Sequence, residues 1–330
     1  MESEPTHAWP ISVDDIQAAR TRIAPHLSPT PFREYPQLAQ LVGNGIRVYV
    51  KHENHQPTCS FKIRNGLSFM TALSAEERRR GVVAASTGNH GQGIAYGAQL
   101  LGSPATVCVP VGNNPSKNAA MRALGATVVE EGRDYDETVH AMLRIARAED
   151  RVVAHSTNDP RVVAGAGTMT LEILDQCPDL DALVIATGGG SQAVGAMTVA
   201  RALAPNLEVF GVQAAGAPAI HDSWHARQRL TTARADTFAE GVATRTTYDL
   251  TFPALLQGLA GFVTVTDAEI AESLRTILAV THNLVEGSGA MGFAALPKLA
   301  DRLAGKRVGI VFCGGNIDVA MLEGILRREI

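Results

Sequence analysis

The chain has 330 residues, 19% of them charged and 5% aromatic, and a net charge of −4. That length supports one large or two moderate domains with real cores, and the composition is that of an alanine- and glycine-rich α/β protein. The charge leaves no electrostatic footprint for nucleic acid, and no apolar stretch is long enough to span a bilayer. Met1-Glu2-Ser3-Glu4-Pro5 has no basic region followed by an apolar one, so no secretory signal is expected. Cys59, Cys108, Cys177 and Cys313 are far apart and form no CxxC pair, which predicts free thiols and a cytoplasmic setting.

In chain order, Ser12-x-x-Asp15 reads as the cap of a first helix, and Val48–Val50 as a short buried strand. Ser74-x-x-Glu77 caps a helix whose end, Arg78-Arg79-Arg80, is a solvated terminus that complements the helix dipole. Strands are predicted at Val82–Ser86, Ala105–Val109, Thr127–Glu130 and Val152–His155, with helical patterns between them. Further strands fall at Ala182–Ala186, Glu208–Val212, Val263–Val265 and Val308–Phe312, and Thr266-x-x-Glu269 caps another helix. Alternation of this kind predicts parallel sheets covered by helices. Residues 76–155 hold enough strand–helix units for a small open sheet. Residues 1–75 and 156–330 would then build one larger domain, with a ligand between the two.

Three segments carry chemistry. Lys62 lies between Phe61 and Ile63, where a long cation is costly unless it has a task, and a lysine in an apolar setting can lose its proton and attack a carbonyl. Thr187-Gly188-Gly189-Gly190-Ser191 follows a buried strand and opens a helix, which gathers backbone N–H groups around an anion. A glycine run alone is as often an ordinary turn; its place at a strand's C-terminal end favours the phosphate reading. Ala85-Ser86-Thr87-Gly88-Asn89-His90-Gly91 has the same setting and suits a carboxylate, and Phe312-Cys313-Gly314-Gly315-Asn316 is a second glycine turn. Lysine, phosphate loop and distal turn together suggest pyridoxal 5'-phosphate.

As a set, these segments resemble the fold-type II pyridoxal-phosphate enzymes, tryptophan synthase β-like in fold, and among them the serine/threonine dehydratase and serine racemase family. The Lys62 run resembles "T-G-S-F-K-x-R-G-A", and Ala85 to Gly93 resembles "S-x-G-N-H-x-Q-G". Ala164 to Thr168 with Glu172, Glu286-Gly287-Ser288-Gly289-Ala290 and Cys313-Gly314-Gly315-Asn316 resemble three more blocks in the family's order. The resemblance implies that Lys62 carries the Schiff base and removes the Cα proton. It also implies that Phe61 packs on the cofactor ring, that Asn89 bonds its 3′ oxygen and that Glu286 borders it. Gly188, Gly189, Gly190 and Ser191 would bind the phosphate, and Cys313 would lie beside the pyridine nitrogen. Ser86, Thr87, Gly88 and His90 would line the substrate carboxylate site.

Departures from the family pattern carry information too. Ser191 stands where a fourth glycine is usual, Cys313 replaces a serine, and Cys59 and Asn65 replace glycines beside the lysine. Metal-dependent relatives place an acidic residue after the strand at 208–212; here Gln213 stands there, so no metal is expected. His221 and His225 have one-turn spacing but no evident third ligand. After His155, many threonine dehydratases have "P-F-D-D"; Ser156-Thr157-Asn158-Asp159 lacks that aromatic and leaves room at Cβ.

The reading is therefore a homo-oligomeric ammonia-lyase converting a 3-hydroxy amino acid (threonine, serine or a bulkier analogue such as 3-phenylserine) to a 2-keto acid and ammonia. The alternative is a serine-type racemase, for which Thr87, where racemases carry a serine, would be the second acid/base. A non-enzymatic nucleotide-binding α/β module would leave Lys62 unexplained.

Overall fold

The computed structural model describes residues 9–133 and 135–330, with Asp136 as backbone only; Met1–Pro5 lie outside the described residues. Ten strands are present among these residues: β1 Phe32–Glu34, β2 Arg47–Lys51, β3 Val82–Ala85, β4 Ala105–Val109, β5 Thr127–Glu130, β6 Val152–Val153, β7 Ala182–Ala186, β8 Glu208–Ala214, β9 Gly261–Val265 and β10 Arg307–Val311. They form a six-stranded sheet in the order β1-β2-β10-β7-β8-β9 and a four-stranded sheet in the order β5-β4-β3-β6. Every pairing is parallel except β1 with β2.

The strands are nearly continuous apolar runs because both sheet faces are covered. Alternation still sorts them. Leu183, Ile185 and Val209 join a core with Ile16, Val163 and Val194 on one face of the larger sheet. Ala182, Val184 and Phe210 join Leu274, Met291 and Leu296 on the other. The smaller sheet splits likewise, with Val82, Ala84 and Val107 on one side and Val83, Ala85 and Cys108 on the other.

Capping boxes form at Ser12, Ser74 and Thr266, each with its acidic partner three residues on. Two differences from the sequence reading have local causes. β1 is a three-residue antiparallel edge strand with two of its residues exposed, so it leaves no apolar signature. The strand expected to reach His155 ends at Val153, because His155 Nδ1 accepts the backbone N–H of Thr157 and of Asn158, both at 2.9 Å, and bends the chain.

The helix Lys62–Thr71 is the hub between the sheets. Its Ile63 and Leu67 pack with Ile23 and Leu27, while its Phe69 and Met70 enter the core of the smaller sheet. It crosses the helix Asn89–Leu100 at backbone contact: a Cβ on Gly66 would lie 2.1 Å from the Gly93 oxygen, and one on Gly93 would lie 2.3 Å from the Lys62 oxygen. No side chain of any kind fits there. Cys59, just before this helix, has φ +51°, a left-handed conformation that favours glycine.

Opposite stability effects are therefore expected at two positions near the lysine. Gly66→Ala should lower the unfolding free energy by about 3 kcal/mol or more, since backbone must move. Cys59→Gly should raise it by up to about 1 kcal/mol by relieving the left-handed strain. Urea unfolding curves of the two variants provide the check.

Candidate active site

The C-terminal ends of β3, β7 and β10 meet at one cavity of about 1930 Å³. Each strand end contributes a loop, as expected where open parallel sheets form a crevice. Phe61, Lys62, Ser86, Thr87, Gly88, Asn89, His90, Gly188, Gly189, Gly190, Ser191, Glu286 and Cys313 all lie on its wall, so every residue expected to bind cofactor or substrate is brought to a single place.

The lysine is held by its own turn. Phe61 N–H donates to the Cys313 carbonyl at 2.9 Å, Ser60 and Gly314 form an isolated bridge, and the Lys62 ammonium lies 4.7 Å from the Phe61 ring centroid. No carboxylate pairs with Lys62 at salt-bridge distance among the described residues. Burial pulls its pKa down to about 8, against weaker opposing pulls from Cys313 and Glu286.

The loop after β3 is folded by Ser86, whose Oγ accepts the N–H groups of Gly88 (3.1 Å) and Gly91 (2.9 Å). The His90 imidazole turns away from the loop and bonds the Ala154 carbonyl at 2.9 Å, which requires the proton on Nε2. Burial drives its pKa down to about 3, so the ring is neutral. Asn89 donates to both Glu286 oxygens, at 2.8 and 3.1 Å, and accepts from Asn316 at 2.8 Å. Asn316 also donates to the Thr58 carbonyl at 2.9 Å. The sequence motif contains Asn316, yet only its long-range partners reveal that it ties the β10 loop to the other two segments.

Ser288 donates to Glu286 at 2.8 Å, and the Cys313 thiol lies 3.6 Å from Ser288 Oγ. Burial, with Glu286 nearby, pushes the Cys313 thiol up to about 12, so it is a neutral S–H. Burial also raises the Glu286 pKa despite its two donors.

After β7 the chain makes the turn Thr187–Gly190 and enters the helix Ser191–Leu203, with Gly190 at φ +93°. A Cβ on Gly188 would meet the Gly241 oxygen at 2.8 Å, and one on Gly189 would meet Thr157 Oγ1 at 2.2 Å. Close packing thus leaves the turn's N–H groups and the helix N-terminus as its usable surface.

Two regions of the wall are assembled only by the fold, although the sequence marks Ser156 as leaving room at Cβ. One is the group Tyr135, Val139, Met142, His155, Ser156 and Tyr248. His155 and Tyr248 meet edge to face at 5.9 Å, and Tyr135 hydrogen-bonds Ser156. Burial raises both phenols and lowers His155, so this stretch is uncharged at neutral pH. The other is the mouth, where Lys117 pairs with Glu240 and Asn114 Nδ2 donates to Asp318 at 2.7 Å. Gln213 faces the fold instead: its carbonyl accepts the N–H groups of Ile220 (3.2 Å) and His221 (2.9 Å) at the start of the helix Ala219–Ala226. His221 bonds Asp222 and His225 bonds the Phe262 carbonyl, their rings 4.4 Å apart.

The family model for pyridoxal-phosphate dependent enzymes matches residues 23–314. The chain belongs to this family. It is 38% identical over 318 residues to an L-threonine ammonia-lyase of Thermotoga maritima, covering 96% of this chain and 79% of that protein. It is 39% identical over 285 residues to an L-threonine ammonia-lyase of Geobacter sulfurreducens, covering 86% and 71%. Among solved structures, maize serine racemase matches with TM-score 0.91 and 27% identity over 97% of this chain and 98% of that one. A threonine deaminase from T.th. matches with TM-score 0.87 and 34% identity over 93% and 99%. The fold is that of the fold-type II enzymes, and the cofactor of the family is pyridoxal phosphate.

The residues present fit that cofactor. An unpaired buried amine faces a cavity into which a glycine turn and a helix N-terminus open, and a neutral thiol stands on the same wall. Because the charged amine is disfavoured in the fold, Lys62 lowers stability below its folded pKa of about 8, and the penalty fades as pH rises toward its ordinary 10.5. In cofactor-free protein, labelling of Lys62 by an amine reagent, read by peptide mass, should have a midpoint near pH 8, whereas a midpoint near 10.5 would show an exposed amine.

Proposed function

We propose that this chain is a pyridoxal-phosphate-dependent ammonia-lyase that converts a 3-hydroxy amino acid to a 2-keto acid and ammonia. The observation that carries the reading is the unpaired Lys62 amine at the meeting point of the glycine turn and the Ser86–His90 loop. The threonine ammonia-lyase relatives support it across most of the chain.

Gly188, Gly189, Gly190 and Ser191 would hold the cofactor phosphate on backbone donors. Phe61, Asn89 and Glu286 would border the ring, and Cys313 would face its nitrogen as a weak, neutral donor. The bound cofactor draws electron density from the substrate Cα, which makes its proton acidic. Lys62, with its lowered pKa, takes that proton at near-neutral pH. Backbone N–H groups of the Ser86–His90 loop hold the carboxylate, and the Thr87 hydroxyl stands beside it. Water leaves from Cβ, and a second water later releases the nitrogen as ammonia, so the balance closes on keto acid and ammonia. Residues 1–75 and 156–330 serve as the cofactor-binding domain, and 76–155 as the part that closes over substrate. The four free thiols fit a reducing, cytoplasmic setting.

The uncharged wall formed by Tyr135, Val139, Met142, His155, Ser156 and Tyr248 favours an aromatic group at Cβ over methyl or carboxylate. Keto-acid formation across serine, threonine and 3-phenylserine stereoisomers tests this. The kcat/KM for 3-phenylserine should exceed that for threonine by about tenfold or more. Ser156→Phe should lose that preference while keeping serine turnover. A threonine preference in the wild type would overturn the aromatic assignment and leave the lyase intact. Lys62→Ala should lose the visible absorbance of the lysine-bound cofactor and nearly all turnover; retained turnover would overturn the lyase reading itself.

Racemisation is the second reading, since Thr87 supplies a hydroxyl on the cavity wall. A secondary hydroxyl crowded by its methyl group is a poorer relay than serine. Dehydration should therefore exceed racemisation, Thr87→Ala should keep most dehydration, and Thr87→Ser should raise racemase activity. Chiral analysis of unreacted L-serine decides: D-serine forming faster than pyruvate would replace the lyase by the racemase.

A further inference from the structure

Four ionised side chains lie buried behind the lysine. Lys51 and Glu53 are 0% exposed, Arg64 is 1% and Glu172 is 6%. Burying so much charge is costly unless each group is paired and hydrogen-bonded. Here the accounting closes. Arg64 Nε and Nη2 donate to Glu53 at 2.7 and 2.9 Å, and Nη1 and Nη2 donate to Glu172, both at 2.7 Å. Nη1 also reaches Thr168 Oγ1 at 3.3 Å, so all five guanidinium protons are used. Lys51 Nζ donates to Glu172 and to the Thr30 carbonyl, both at 2.8 Å, and to Gln176 at 3.4 Å. Glu53 accepts further from Thr30 Oγ1 at 2.6 Å and from Gln56 at 3.2 Å. Two cations and two anions leave the cluster neutral.

The members come from segments that must agree for Lys62 to be in place. Arg64 follows Lys62 by two residues in the first turn of the Lys62–Thr71 helix, so the two side chains leave on nearly opposite faces. Lys51 ends β2, Glu53 opens the next turn, and Glu172 comes from the helix Pro160–Gln176. The backbone continues the chain of contacts: Phe312 N–H donates to the Lys51 carbonyl at 2.9 Å, Asn54 N–H to the Phe312 carbonyl at 2.9 Å, and Phe61 N–H to the Cys313 carbonyl at 2.9 Å. The cluster thus ties the back of the lysine's turn to the strand ends that carry Cys313.

We propose that Lys51, Glu53, Arg64 and Glu172 are positioning residues for Lys62, a forked clamp on the rear of its helical turn that fixes the amine's place against the β10 loop. The proposal rests on the lysine's role in the reading above, and it concerns placement, not contact with substrate. Arg64→Lys keeps the charge but cannot engage two carboxylates with paired donors. Thr168→Val keeps the shape and removes the 3.3 Å contact to Arg64, together with the hydroxyl's own 2.7 Å bond to the Gly165 carbonyl within its helix.

The experiment compares these two variants with Leu274→Ala, a fully buried change in the other core, chosen as a control for lost stability. Thermal midpoints are measured alongside kcat, KM and the pH profile of Lys62 labelling in cofactor-free protein. Arg64→Lys should lower kcat by about 100-fold with KM little changed, the size expected for displacement of a catalytic group by about an ångström. It should also shift the labelling profile. Thr168→Val should show the same effects in smaller degree, and it carries the test alone if Arg64→Lys does not fold. Leu274→Ala should lose thermal midpoint while keeping kcat and the labelling profile. Wild-type kcat and labelling in the clamp variants would overturn the proposal. So would an equal kcat loss in the control, which would reduce the cluster to ordinary stability. A shifted labelling profile in a protein without lyase activity would uphold the clamp and overturn the functional reading instead.

Discussion

Everything in this molecule is arranged around the contact between two helix backbones at Gly66 and Gly93. With no side chain between them, the Lys62–Thr71 and Asn89–Leu100 helices share a spacing that neither can change alone. One helix carries the amine and the other begins with the proposed carboxylate loop. A third helix joins the stack: a Cβ on Gly165 would lie 2.5 Å from the Arg64 oxygen. The two sheets, built from separate cores, are thereby referred to one rigid element. Hydrophobic burial supplies the stability of each sheet. The backbone contact supplies the alignment of their loops, which burial, being non-directional, cannot.

The electrostatic plan follows from that packing. Ionised groups are concentrated where they are saturated, in the cluster behind the lysine, or exposed at the surface. The cavity wall near Lys62 is kept neutral: His90 by burial and a fixed tautomer, Cys313 by burial, the tyrosines by burial. Glu286 is drawn toward neutrality by the same cause. A dianionic phosphate and a carboxylate entering such a site meet backbone dipoles, not competing side-chain anions. The Cys313 thiol on this wall, neutral through burial, is only a weak donor.

Much of this was legible in the sequence because local rules and local residues coincide. β-branched runs marked the parallel strands, Ser-x-x-Asp and its relatives marked helix starts, and Gly188–Gly190 sat where a strand hands over to a helix. β1 was invisible because an exposed, charged edge strand has no apolar pattern. The early end of β6 depended on a side-chain nitrogen accepting two amides, a device that no propensity encodes. Lys51 and Glu53 carried no signature in the sequence: the carboxylate that pairs with Lys51, Glu172, is more than a hundred residues away, and Arg64 meets Glu53 only in the folded chain. Tyr135, which opens the helix Tyr135–Ala148, and Tyr248, in a loop, are likewise far apart in sequence, and only the fold brings them to the same wall. Cys59 could be seen to replace a glycine, but its positive φ is set by the folded turn.

The division between the glycine contact and the tyrosine wall has an evolutionary consequence. The parts that align the chemistry are backbone atoms, so nearly every substitution at Gly66 or Gly93 is a step downhill. The residues proposed to meet the substrate's side chain lie on the helix Tyr135–Ala148 and on separate loops, and none of them bears on the helix crossing. Such a chain can explore new substrates through single changes at its rim while its reactive centre stays frozen. A lineage built on this plan would diversify in what it accepts long before it diversifies in what it does.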